Sequence, residues 1–155
     1  MIQKNRSTLL VYIVIAFFTF QLDRITKELA LSKAVERYEL NPFLAFDLVI
    51  NRGVTGGLLH TDSDSWFLML TALIMCIIFV LGFYAWRRYF EGKSIIGEIL
   101  VLSGAISNVI DRFVYGGVID FIHFSFGGYS FPVFNIADVC IVLGVAIIFF
   151  EHIRE

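Results

Sequence analysis

The sequence predicts an all-α membrane protein, with four transmembrane helices and a small β-sheet and loop cap on the outer face. Three observations carry this expectation. Of the 155 residues, 58% are hydrophobic, and the mean hydropathy is +0.80, which is too apolar for a soluble domain of this length. The apolar residues collect in four runs, at about 9–31, 66–86, 95–115 and 132–150, each close to the ~20 residues that a helix needs to cross a bilayer. Between the runs lie two short segments of alternating or β-branched residues beside glycines, the pattern of strands and tight turns. One domain, 1–155, accounts for the whole length. The net charge is only −2, which gives no basic footprint for nucleic acid, so no such partner is expected.

The first run follows Lys4 and Arg6 and could pass for a secretory leader. Gln21-Leu22-Asp23-Arg24 stands where a small-x-small cleavage site would be, so the run reads as a retained span. Phe46 to Asn51 partly alternates and predicts a short strand. It leads into Gly53, Gly56 and Gly57, where the backbone can turn sharply or approach a ligand closely. Thr61 to Ser65 supplies N-cap residues for the second span. Phe124 to Phe131 alternates aromatics around Gly127-Gly128, a hairpin pattern. Cys76 and Cys140 sit in apolar runs without Cys or His at metal spacing, and read as small core hydrophobes.

Orientation follows from the loop cations. One side holds Lys4, Arg6, Arg87, Arg88, Lys93 and Arg154, and the other only Lys33, Arg37 and Arg52. The richer side faces the cytoplasm, which places both termini there. Asp23 and Lys27 then lie toward the outer end of span one, and Asn108, Asp111 and Arg112 toward the outer end of span three. Asn135 and Asp138 fall in the first turns of span four, and Asp120 in the segment between them. Each ionisable group at mid-bilayer costs roughly 2.5 to 3.5 kcal/mol. The dozen or so Val, Ile, Leu and Phe of span four contribute roughly −4 to −7 kcal/mol, so the span inserts despite Asp138.

Asp23 with Lys27, and Asp111 with Arg112, read equally well as ion pairs that lock helices together. Asp120 and Asp138 differ, because neither has a basic residue within one helical turn; His123 is the nearest candidate partner of Asp120. Two under-compensated carboxylates at a membrane boundary suit acid–base chemistry, one protonated and one ionised. Ser103 and Ser107 lie in span three while His60, His123 and His152 lie in loops or at a span end, which argues against a serine peptidase. No His-Glu-x-x-His sequence suggests a zinc peptidase. A proton-coupled carrier would want carboxylates near the midplane and access from both sides; here they cluster at one side, and Glu98, toward the cytoplasmic end of span three, is the single charge that would help such a pathway. A structural subunit that binds a partner helix through the polar clusters is the third alternative.

Five segments together resemble the lipoprotein signal peptidase (signal peptidase II) family. They are Asp23-Arg24-Ile25-Thr26-Lys27, Asn51-Arg52-Gly53, Asn108-Val109-Ile110-Asp111-Arg112, Gly117-Val118-Ile119-Asp120-Phe121-Ile122 and Phe134-Asn135-Ile136-Ala137-Asp138. The resemblance implies an aspartyl endopeptidase of the bacterial inner membrane, which removes signal peptides from prolipoproteins just before a diacylglyceryl-modified cysteine. It maps the catalytic aspartates onto Asp120 and Asp138. Supporting or substrate-binding roles map onto Asp23, Lys27, Asn51, Gly53, Asn108, Asp111, Arg112 and Asn135. It also implies contact with membrane lipids, inhibition by globomycin-like cyclic peptides, and no metal or organic cofactor. The chain departs from the family pattern at Arg24, where Gln is usual, at Ser107, where Gly is usual, and at Val54-Thr55-Gly56. The expected mechanism is direct attack by a water activated by one aspartate, with the other stabilising the developing oxyanion.

Overall fold

A computed structural model describes residues 6–33, 37–54, 59 and 62–154. The described residues form four helices: α1 (Arg6–Ser32), α2 (Asp64–Phe90), α3 (Ile96–Tyr115) and α4 (Ile136–Arg154). Three of them, α1, α2 and α4, are long and apolar enough to cross a membrane. The third helix differs for a compositional reason. Any 18-residue stretch of its 20 residues contains Glu98, Asp111 and Arg112.

The distribution of side chains is inverted relative to a water-soluble fold. Phe18 is 66% exposed and Phe79 78% exposed, whereas Lys27, Glu98 and Asp111 are at 0%. Lipid solvates apolar side chains at no cost, while charged groups must find partners inside the bundle. Cys76 is exposed on α2 and Cys140 is half-buried, so neither is the core residue that its apolar setting suggested.

Helix α3 is central and packs on α1, α2 and α4. Its approach to α4 depends on small residues spaced by seven on both helices. A Cβ on Gly97 would lie 2.8 Å from the Gly144 carbonyl oxygen, and one on Gly104 would lie 2.6 Å from that of Ala137. Such close backbone approach gives van der Waals packing that larger side chains would prevent. Gly104→Ala is therefore expected to push α3 from the first turn of α4 and cost about 1–3 kcal/mol. Gly82→Ala meets no atom within 4 Å and should raise stability by up to about 1 kcal/mol through helix propensity. Thermal unfolding of both variants in one detergent checks the contrast. Across the α1–α3 interface, the Thr19 and Ser103 hydroxyls lie 2.8 Å apart.

The cap at one end of the bundle is an antiparallel sheet in the order β1 (Tyr38–Asn41), β2 (Leu44–Asn51), β3 (Val118–Phe126) and β4 (Tyr129–Ser130). The expected strand is the later part of β2, and the expected hairpin is β3–β4, with Gly127 and Gly128 both at positive φ as a tight hairpin turn requires. Strand β1 was not anticipated. It returns through an Asx turn in which Asn41 Oδ1 accepts from the amides of Phe43 and Leu44. Ser63 caps α2 as its segment predicted, accepting from the Trp66 amide at 3.5 Å. The fourth helix begins at Ile136 rather than near 132, because the residues before it are used by the sheet. Gly56 and Gly57 lie outside the described residues.

Candidate active site

The start of α4 is hydrogen-bonded to β3. The Phe134 amide donates to the Ile122 carbonyl at 3.0 Å, and the Phe134 carbonyl accepts from the amides of Ile122 at 2.8 Å and Phe121 at 3.1 Å. This bridge brings Asn135 beside Asp120. Asn135 then caps the helix: its Oδ1 accepts from the Asp138 amide at 2.9 Å. In return, Asp138 Oδ2 accepts from the Asn135 amide at 3.2 Å. The reciprocal box holds the Asp138 carboxylate in the first turn, where the unpaired amides of the helix complement an anion. Asp138 thus stands nearer the helix start than a span opening at 132 implied.

Asp120 pairs with Val49 across the β2–β3 ladder, and Asn51 lies diagonally on the same face. Asp120 Oδ2 accepts from Asn51 Nδ2 at 2.9 Å, and Oδ1 from Asn135 Nδ2 at 2.7 Å. Asn108 Nδ2 donates to Asp138 Oδ1 at 3.1 Å, and Asn135 Nδ2 lies 3.2 Å from Asn108 Oδ1. Two asparagine amides, those of Asn135 and Asn108, therefore connect the two aspartates, while Asn51 holds Asp120 from the other side. Both carboxylates, with Asn51, Gly53, Asn108 and Arg112, line one cavity of about 150 Å³. Burial, and then the negative charge of Asp138, push the Asp120 carboxyl up to about 7; the amides of Asn51 and Asn135 and the charge of Lys27 act in the other direction.

Below the cavity lies a buried ion cluster. Lys27 Nζ is 2.7 Å from each of Asp23 Oδ2, Asp111 Oδ2 and Asn108 Oδ1. Its three N–H donors are thus all used. Asp23 also accepts from Ser107 Oγ at 2.6 Å and, through Oδ1, from the Ala137 amide at 2.8 Å. A carboxylate on α1 therefore satisfies an amide that α4 leaves open at its N-terminus. The expected Asp111–Arg112 pair does not form. Consecutive helical residues point about a quarter-turn apart, so Asp111 turns to Lys27 and Arg24 while Arg112 turns to the cap.

Arg112 donates to the Gly53 carbonyl and, at 3.3 Å, to the Arg52 carbonyl. The Asn51 side chain closes the same turn from below: its Oδ1 accepts from the Gly53 amide at 2.8 Å and its Nδ2 donates to the Val54 carbonyl at 3.0 Å. The guanidinium carbons of Arg52 and Arg112 lie 4.8 and 5.4 Å from the centroid of Phe67, and Arg52 meets Asp64 at 2.5 Å. The loop after β2 is thereby fastened to α2 and α3.

Every residue that the family resemblance mapped onto the site falls in this network. Arg24 and Ser107, which depart from the family pattern and were not among the mapped site residues, also belong to it, through Asp111 and Asp23. The signal for Ser107 was its place four residues before Asp111, on the same face of α3. His123 does not serve Asp120; its Nε2 lies 2.6 Å from Ser130 Oγ, because strand alternation turns it from the Asp120 face. Glu98 is closed by Arg88 at 2.9 Å, at the far end of α3, which removes the one charge that a proton pathway would have used.

Comparison with known proteins agrees with this architecture. A family profile described as signal peptidase (SPase) II matches residues 15–154. A lipoprotein signal peptidase of Aquifex aeolicus (strain VF5) is 38% identical over 151 residues, covering 95% of this chain and 88% of that protein. One of Burkholderia multivorans is 38% identical over 119 residues, covering 77% of this chain and 72% of that protein. A bacterial membrane enzyme solved by the in meso method at 2.3 Å superposes with a TM-score of 0.76 at 26% identity, over 93% of this chain and 88% of that one. A second, solved at 1.9 Å, gives 0.71 at 26% identity, over 94% of each chain. The match runs from the middle of α1 to the end of α4, through every residue of the polar network, and the chain belongs to the signal peptidase (SPase) II family.

Proposed function

We propose that this protein is an intramembrane aspartyl endopeptidase that removes signal peptides from prolipoproteins, cutting the bond before a diacylglyceryl-cysteine. The observation that carries this reading is the pair Asp120 and Asp138, which line one small cavity and are joined through asparagine amides. Asp120 would hold the proton. Its carboxyl is raised to about 7 by burial and by the charge of Asp138, while the first turn of α4 complements a negative charge on Asp138. Charge balance points the same way. Asp23, Asp111, Asp120 and Asp138 share the interior with Arg24, Lys27 and Arg112, so one retained proton brings the group to neutrality and avoids an unpaired buried charge.

In the reaction, Asp138 takes a proton from water as its oxygen attacks the scissile carbonyl carbon. Asp120 gives its proton to the carbonyl oxygen. Asp138 then passes the acquired proton to the leaving nitrogen, the C–N bond breaks, and a hydroxyl proton returns to Asp120. Asn51, Asn108 and Asn135 hold the carboxylates, and Arg112 holds the Gly53 turn beside them. Globomycin-like cyclic peptides would compete for this cavity.

The setting we infer is the bacterial inner membrane, with α3 as a fourth span whose charges are met inside the bundle, both termini cytoplasmic, and the dyad toward the outer leaflet. Reporter fusions after residue 92 and at the C-terminus should read cytoplasmic, and fusions near Gly127 should read external. An external C-terminus overturns the arrangement.

The direct test is cleavage of a diacylglyceryl-modified prolipoprotein by the purified chain across pH. Because Asp120 must carry its proton, kcat/KM should fall about tenfold per pH unit above about 7. A rate that instead rises through that range would assign the acid and base roles the other way. Failure to cut this substrate at any pH would reject the reading.

A further inference from the structure

We propose that the cleft between the outer end of α1 and the sheet binds one aminophospholipid of the surrounding membrane, with its phosphate on Lys33 and its primary ammonium on Asp47. The cleft has a volume of about 990 Å³, at the upper end of the ~300–1,000 Å³ common for ligand pockets. Its walls include Leu29, Leu40, Leu48 and Phe121, surfaces suited to acyl chains. Two charged side chains of opposite sign also line it, exposed Lys33 and half-buried Asp47. Among the described residues, neither makes an ion pair or side-chain hydrogen bond.

The placement of these charges has a structural cause. Between Phe46 and Val49 the β2–β3 register slips by one residue, so Asp47 and Leu48 together face Phe121. Such a bulge sends two consecutive side chains toward one side, and both line the cleft. Phe121 follows Asp120 in β3 and leaves the strand on the opposite face. The cleft and the dyad cavity consequently share no lining residue.

Depth agrees with a lipid occupant. Asp23 bonds the first turn of α4 and so lies level with the dyad. Thr26, one turn farther out, lines the cleft, and Lys33 lies ten residues beyond Asp23, about 15 Å along the helix. The charged end is therefore outward of the dyad, toward the headgroups, and the apolar walls lead inward.

The charge pattern selects the ligand. An anionic headgroup would satisfy Lys33 but repel Asp47. The thioether-linked glycerol of a diacylglyceryl peptide would leave both charges unmatched. A choline headgroup carries no N–H to donate to the carboxylate, whereas a primary ammonium does.

The test is native mass spectrometry of the full chain from micelles doped equally with phosphatidylethanolamine and phosphatidylglycerol. Wild type should retain one phosphatidylethanolamine in about tenfold excess over phosphatidylglycerol, a difference readily resolved as an affinity ratio. Asp47→Asn should erase most of that excess. Lys33→Gln should lower retention of both lipids. Prolipoprotein cleavage should be unchanged in both variants, which separates this site from the proposed active site. Equal retention of the two lipids by wild type, or an excess that survives Asp47→Asn, overturns the proposal. So does displacement of the retained lipid by a diacylglyceryl-cysteine peptide, which would make the cleft a substrate subsite.

Discussion

Asp120→Asn and Asp138→Asn are each expected to reduce prolipoprotein cleavage about 10³-fold or more, because each removes a proton carrier that the reaction needs at a different step. The two losses should not add in the double variant, since the carboxylates act as one unit. Binding should survive. Asn keeps the shape at both positions, and the neighbouring amides of Asn51, Asn108 and Asn135 keep one acceptor oxygen to bind. A stability measurement distinguishes this from simple misfolding. Asp120 has its carboxyl raised from 3.8 to about 7 in the fold. A raised carboxyl contributes stability that is fully present below the unfolded value and is lost as pH rises through the folded one. Wild type should therefore lose stability between about pH 4 and 7 in a way that Asp120→Asn does not. The gap in melting temperature between the two should narrow as pH rises. A gap independent of pH, or cleavage within tenfold of wild type in either single variant, rejects the assigned roles.

The largest expected effect on stability is at Lys27. Its ammonium is completely buried and meets Asp23, Asp111 and Asn108 at 2.7 Å each. Lys27→Met keeps much of the volume but leaves two buried carboxylates to share Arg24 among the described cations. Breaking a buried pair by removing one partner typically costs about 3–5 kcal/mol. Lys33→Met, on the same helix but exposed, should change stability by no more than about 0.5 kcal/mol. Thermal unfolding of the two variants in detergent measures the difference. If Lys27→Met melts with wild type, the cluster does not hold α1 to α3. The consequence reaches the dyad through two links: Asn108, which Lys27 orients, binds Asp138, and Asp23, which Lys27 neutralises, binds the Ala137 amide. Any protein that still folds should therefore show a lower kcat, with KM less affected.

The sequence by itself determined which residues would be buried and polar. An ionisable group in an apolar run of membrane length has no solvent to meet, so Asp23, Lys27, Asp111, Arg112 and Asp138 could be expected to turn inward. That the clusters meet at one level of the bundle also followed, because helices alternating in direction place residues along the bundle axis at a fixed rise. Five short motifs were enough to reach the family. The glycine hairpin and the Ser63 cap were legible for the same reason: each depends on residues within a few positions of one another.

Only the tertiary structure decided who pairs with whom. Asp111 and Arg112 are adjacent in the chain yet serve different partners, since their directions on α3 diverge and the rotation of α1 and α4 against that helix selects the contacts. Asn135 could be placed on the Asp138 face from spacing. Its role as helix cap and bridge to Asp120 required the pairing of Phe134 with β3, a contact between segments that no local pattern encodes. Strand β1, the bulge at Asp47 and Leu48, and the cleft that they form with α1 were invisible for a related reason. A bulge is a mismatch between two strands, and neither strand alone carries it.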